Sequence, residues 1–273
     1  MRLRLHIAYD GSAFQGWQIQ PEAPTIEGAL TEAAATILDR PADAIKIQGA
    51  SRTDSGVHAD GQVAHLDCER DRGLWELAHG LNSLTPHAIC VNRIEPAPED
   101  FHARFSARGK IYRYTIWNHQ FPHPHRHHRT WKISWQLDLD RMRRAADRMV
   151  DAHDFAAFRP SDGQSPTTDR TMRRVEVAAD GPEWTITVEG DAFLKYMVRV
   201  MVGTLVDVAS GTEAPEVVDE LFETGDRDRA GVTAPGEGLS LLEVHYPDFP
   251  WKAPPPAIGG QVLPHEQDNE AES

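Results

Sequence analysis

Cysteine is scarce. Cys68 and Cys90 are the two in 273 residues, and they do not form a Cys-x-x-Cys pair. That argues against a disulfide-stapled scaffold and a cysteine-rich zinc site, and makes a reducing cytoplasm the expected compartment. Long apolar runs are missing as well. No stretch approaches the roughly 20 residues that a membrane helix needs, so no membrane association is expected. The N-terminus, Met1 to Ile7, alternates polar and apolar residues in the manner of a strand, and no secretory leader is visible. Positive charge is in deficit: 28 Lys and Arg stand against 42 Asp and Glu, a net charge of −14. Taken alone, this excess of acid argues against a nucleic-acid binder, because phosphate contacts need Lys and Arg.

The distribution of charge says something different. Between Phe101 and Val150 the basic residues are Arg104, Arg108, Lys110, Arg113, Arg126, Arg129, Lys132, Arg141, Arg143, Arg144 and Arg148. The acidic residues there are Asp138, Asp140 and Asp147. A basic region thus sits inside an acidic chain. Hydrophobic content of 40% and seven Trp are enough for a substantial core.

Periodicity yields an element order. Leu3, Leu5, Ile7 and Tyr9 alternate as a half-buried strand. Thr25 is an N-cap candidate, with Glu27 in the first turn of a helix reaching Leu38. Strands are expected at 44–48 and 62–67, a helix at 74–84 stopped before Pro86, and a strand at 88–94. The order β-α-β-β-α-β then returns. A strand runs through 111–117, with Tyr112 and Tyr114 on one face. A helix follows from Leu139, strands cover 171–178 and 184–189, and an apolar helix spans 192–209, closed by Gly211. A short helix at 214–222 and a strand at 240–246 complete the second copy. The fold class is therefore α+β, two split β-α-β-β-α-β units, divided as 1–107 and 108–247. From 248 to 273 Pro and Gly accumulate and acidic residues follow, a composition typical of a disordered tail.

One stretch stands apart from this pattern. Gln48 to Gln62 reads Gln-Gly-Ala-Ser-Arg-Thr-Asp-Ser-Gly-Val-His-Ala-Asp-Gly-Gln. It lies between two strands but is longer than the two to five residues of a hairpin loop. Asp54 is the one carboxylate between Gly49 and Ala59, and Arg52 precedes it by two residues. As a bare triplet, Arg-Thr-Asp would be a surface turn with a local ion pair. The stretch resembles the signature of the tRNA pseudouridine synthase A (TruA) family, Gly-Ala-Gly-Arg-Thr-Asp-x-Gly-Val-His-Ala. Ser51 stands where that signature has its second glycine. Tyr9-Asp10-Gly11-Ser12, Phe14, Gly16, Trp17 and Gln18 resemble a second motif of the same family. So do Lys110-Ile111-Tyr112-Arg113-Tyr114, Met197-Val198-Arg199 and Gly238-Leu239.

The resemblance carries expectations. The fold would be two halves joined in one mixed, mostly antiparallel sheet with a central cleft. The activity would be isomerisation of uridine to pseudouridine at positions 38–40 of the tRNA anticodon stem-loop, by a homodimer that needs neither metal nor other cofactor. Asp54 would begin the chemistry, Arg199 would pair with it, and Tyr112 would stack on the flipped base. A charged residue in so apolar a helix needs either a partner or a route to solvent, so for Arg199 the residues alone leave both open. Arg52 is a second possible partner for Asp54. Leu239 would line the pocket, though ordinary core is its reading from sequence alone. Arg52, Arg104, Arg108, Lys110 and Arg113 are candidate phosphate contacts. Asp10, Phe14, Gln15, Trp17 and Gln18 could form a loop that touches RNA, and His58 could brace the aspartate loop.

Two other classes of function compete. An RNA-binding or chaperone protein without catalysis would keep the basic region and need no Asp54. A metal-dependent hydrolase could draw on His119, His123, His125, His127 and His128, since His-rich tracts bind divalent ions. Prolines break that segment, and it contains no carboxylate, so an exposed loop is expected instead.

Overall fold

The computed structural model describes residues 1–68, 73–160, 163 and 165–247. The expectation for the acidic tail from 248 on lies outside them. In chain order the elements are β1 (Arg2–Tyr9), α1 (Ile26–Leu38), β2 (Ile47–Gly49), β3 (His58–Asp67), α2 (Leu74–Leu84) and β4 (Ile89–Ala97). Then come β5 (Gly109–Asn118), β6 (Trp131–Ile133), α3 (Leu139–Asp147), β7 (Asp151–Asp154), β8 (Asp169–Asp180) and β9 (Glu183–Gly190). The last are α4 (Met197–Ser210), α5 (Val217–Thr224) and β10 (Leu239–His245).

Local chemistry explains several boundaries. Thr25 accepts a hydrogen bond from the Gly28 N–H and so caps α1, which buries Ile26, Leu30, Ala34 and Leu38 at helical spacing. Burying each Leu or Ile side chain of this kind contributes roughly 1.5–3 kcal/mol. The helix α2 ends at Leu84, two residues before Pro86, which cannot continue it.

Among the described residues ten strands form one sheet. Its main path runs β4-β1-β3-β10-β5-β9-β8-β7, with β2 paired to β3 and β6 to β5. Most pairings are antiparallel; β10 with β3 and β5 with β6 are parallel. The last strand therefore lies between the strands of the first repeat and those of the second. Ser240 is opposite His58 and Leu241 opposite Ala59 on one side, while Leu239 is opposite Tyr114 and Leu241 opposite Tyr112 on the other. At this seam Gly61 allows very close contact: a Cβ there would stand 2.1 Å from the Leu242 carbonyl oxygen.

The structure corrects the sequence reading at four places. β3 begins at His58, not near Gln62, because pairing with β10 and β1 extends it, so the aspartate loop is shorter than expected. α4 begins at Met197, not Ala192; Tyr196 precedes it in the left-handed region at φ 60°, which is incompatible with a helix entering from 192. The short strands β6 and β7 were not foreseen, being fixed by their partners β5 and β8 rather than by any pattern of their own. And 42–44 form a 3-10 turn, so β2 starts only at Ile47.

Candidate active site

The site is built on the short loop between β2 and β3. Its backbone is held from three sides. Ala50 N–H donates to Val63 O at 2.7 Å, which continues the β2–β3 pairing. Trp17 N–H donates to Thr53 O at 3.0 Å and Gly56 N–H to Phe14 O at 3.3 Å, so the segment after β1 lies along the loop. That approach needs Gly16, whose φ is +89° and where a Cβ would stand 2.6 Å from Thr53 O. From below, the fully buried Gln62 grips Ser51 twice. Its Oε1 accepts from Ser51 N–H at 3.2 Å and its Nε2 donates to Ser51 O at 2.8 Å. The same Nε2 reaches the Tyr9 hydroxyl at 3.3 Å, and that hydroxyl meets Thr53 Oγ1 at 2.7 Å. Asp54, the next residue, closes a turn by accepting Val57 N–H on its backbone oxygen at 3.1 Å.

This frame presents the Asp54 carboxylate to α4. Arg199 Nη1 donates to Asp54 Oδ2 at 3.2 Å, although 145 residues separate them. The side chains are 16% and 23% exposed, so the pair is largely shielded from water. Arg199 is aimed by two further contacts. Its Nε donates to Ala234 O at 2.7 Å, and its guanidinium lies 4.9 Å from the centre of the Tyr196 ring. Burial pushes the Asp54 carboxyl above its ordinary value; Arg199 and the nearby Lys195 pull it back. The ionised form is thus kept available in a site that disfavours it.

Tyr112 faces the same loop from β5. Its ring is buried, its edge meets Phe193 with centroids 5.0 Å apart, and its hydroxyl lies 2.6 Å from Ser51 Oγ. Burial raises the phenol to about 12, the Ser51 hydrogen bond opposes this, and the Asp54 charge adds to it. Its neighbour on the same face, Tyr114, is wholly buried and donates to Pro235 O at 2.8 Å, which reads as anchorage for the 232–238 segment.

Other predicted residues are placed differently. Arg52 is exposed and does not pair with Asp54; it makes no hydrogen bond or ion pair among the described residues. Leu239 is buried opposite Tyr114, two residues along β10 from the position facing Tyr112. Phe14 and Trp17 are core residues rather than an RNA-facing surface: Trp17 fills the space above Gly49, where a Cβ would meet its ring at 2.5 Å. Asp10 is also occupied, by Arg129 at 2.6 Å. Gln15 and Gln18 alone of that group are exposed.

Lys110 is half-buried on the Tyr112 side of β5, and burial together with Arg104 lowers its ammonium to about 8, with Asp191 opposing. Arg104, Arg108 and Arg113 are exposed. His58 ties three segments together: its Nδ1 accepts from Gly11 N–H at 3.2 Å, and its Nε2 lies 2.8 Å from His128 O and 3.2 Å from Glu237 O. The histidines from 119 to 128 line an exposed turn, and no group of three or more metal-ligating side chains converges among the described residues.

Sequence reasoning missed Gln62, Tyr9 and Thr53 as the supports of the loop. Each looks like an ordinary strand or turn residue; Gln62 stands in a strand that also carries His58, Asp60, His65 and Asp67, so its polarity does not mark it out.

Comparison with known proteins identifies the family of the chain. A family model described as tRNA pseudouridine synthase matches residues 6–106 and 145–247. A tRNA pseudouridine synthase A from Geotalea uraniireducens is 41% identical over 245 residues, covering 90% of this chain and 99% of the relative. One from Acetivibrio thermocellus is 40% identical over 244 residues, covering 89% and 99%. One from Pseudoalteromonas atlantica is 41% identical over 250 residues, covering 91% and 93%.

Proposed function

Because the chain belongs to the tRNA pseudouridine synthase family, we propose that it isomerises uridine to pseudouridine in the tRNA anticodon stem-loop, at positions 38–40. The observation that carries the reading is the Asp54–Arg199 pair, shielded from water and set beside a buried tyrosine.

The reaction separates ribose C1′ from N1 of uracil, turns the base, and joins C1′ to C5. A proton leaves C5 and one is gained at N1, so the product is an isomer and no redox partner is consumed. A stacked base is out of reach, and the target nucleotide must be flipped out. Three openings are available to the Asp54 carboxylate: attack on the sugar, attack on the base, or removal of a ribose proton. All three start from the ionised form, which Arg199 favours. Tyr112 offers a ring for the flipped uracil; stacking of this kind is worth roughly 1–3 kcal/mol per base. Leu239 would border the same pocket through the strand it shares with Leu241.

Arg52, Arg104, Arg108, Lys110 and Arg113 are the cations offered to phosphates. None of the five makes an ion pair among the described residues, although Glu27 attracts Arg52 and Asp191 attracts Lys110. We take the enzyme to work in the cytoplasm as a homodimer, which would let an acidic chain join two basic regions around one tRNA. A monomeric interface variant with full activity would contradict this.

The test is release of tritium from C5-labelled uridine in unmodified tRNA, with wild type and Asp54→Asn side by side in the presence of chelator. Release by the wild type alone is expected. Binding of tRNA without release by either protein would make the chain a binding factor, and release that chelator abolishes would favour metal chemistry.

A further inference from the structure

Ser51 is the position at which this chain departs from the glycine of the signature it resembles. The hydroxyl it adds is not idle. Ser51 Oγ lies 2.6 Å from the Tyr112 hydroxyl, and either oxygen can be the donor. Among the described residues it is the protein partner of that phenol. The serine itself is rigidly mounted, since Gln62 holds both its N–H and its carbonyl. The Tyr112 ring is fixed by burial and by the edge contact with Phe193. Two well-held supports thus carry two hydroxyls whose protons can rotate. Reversing the donor and acceptor of that bond requires no movement of heavy atoms. A glycine at 51 could neither hold the phenol oxygen nor reverse the bond.

We propose that Ser51 is a positioning residue for Tyr112: its hydroxyl fixes the phenol oxygen beside the Asp54 loop and, by accepting or donating, lets the phenol turn its proton or a lone pair toward the uracil. The inference rests on the isomerase reading above. It adds a residue that acts through Tyr112 and does not itself touch the reacting atoms.

The experiment compares wild type, Ser51→Ala and Ser51→Thr by the single-turnover rate of C5 tritium release and by the Kd for unmodified tRNA, with thermal melting to establish folding. Ser51→Ala should release tritium about three- to tenfold more slowly, the rate equivalent of one ordinary hydrogen bond. Its tRNA Kd should stay within about twofold of wild type, because the substitution removes no cation that could meet a phosphate. Ser51→Thr keeps a hydroxyl and should recover most of the rate. A wild-type rate in Ser51→Ala overturns the proposal. So does an equal loss in both variants, or a Kd that weakens in step with the rate, since either would mark a role in loop shape or binding. Silence of the wild type itself would remove the isomerase reading and this inference with it, an outcome distinct from the others.

Discussion

Gln62→Met tests whether the aspartate loop is held from beneath. Gln62 is fully buried, and its amide serves Ser51 N–H, Ser51 O and the Tyr9 hydroxyl. Methionine has nearly the same volume and shape, so the substitution removes hydrogen bonds without opening a cavity. The Tyr9 hydroxyl keeps Thr53 Oγ1, but the two backbone groups of Ser51 lose their partner. A buried polar group left unpaired costs about 1–3 kcal/mol. Ser51 is half-buried, so water can reach part of the gap, and a total loss of about 2–4 kcal/mol is expected. In a chain of this size that corresponds to a fall in Tm of roughly 5–15 °C. Urea unfolding should show a lower midpoint with an unchanged slope, as for a pure stability change. The folded fraction should also release tritium more slowly, because Asp54 sits three residues beyond the lost anchor. A loss below about 0.5 kcal/mol would refute the reasoning; the backbone bonds of Ala50 and Thr53 would then suffice to hold the loop.

Three further outcomes follow from the charges at the site. Asp54→Asn should abolish release yet melt no lower than wild type at pH 7. Burial raises the folded-state pKa of Asp54, so its charge costs stability above that pKa; the cost fades as pH falls and the proton binds, and the two melting curves should converge on acidification. A markedly less stable Asn variant at pH 7 would contradict that sign. Arg199→Met should shift the acidic limb of the release rate to higher pH, because the guanidinium that favours the carboxylate is gone; a limb that does not move would deny the pair its electrostatic role. Lys110 loses its charge as pH rises through about 8, so tRNA affinity should weaken there, and Lys110→Arg should flatten the dependence. An unchanged profile in that variant would show that Lys110 does not meet the RNA.

Much of the frame was legible because it is local. Thr25 caps α1 by its own side chain, α2 stops where Pro86 forces it to, and strand alternation put Tyr112 and Tyr114 on one face. What escaped the sequence depends on distant partners. β6 and β7 are too short to carry a period, and the start of β3 is set by β10, some 180 residues later. Trp17 looked available to a ligand because its neighbours in sequence are polar, yet it is buried against β2, where Gly49 leaves room for its ring.

The site divides along the same line. Arg199 could be singled out from sequence because a cation in an apolar helix must either find a partner or reach water. Its partner could not be found by spacing, since two were available and the nearer one in sequence, Arg52 to Asp54, is not the pair that forms. The choice is made by topology. By inserting between β3 and β5, β10 draws the aspartate loop of the first repeat and α4 of the second to one seam. Gly61 permits that insertion by letting β3 and β10 approach more closely than any side chain would allow. The seam that completes the sheet is therefore also what assembles the ion pair, and a change that separates β3 from β10 should weaken fold and site together.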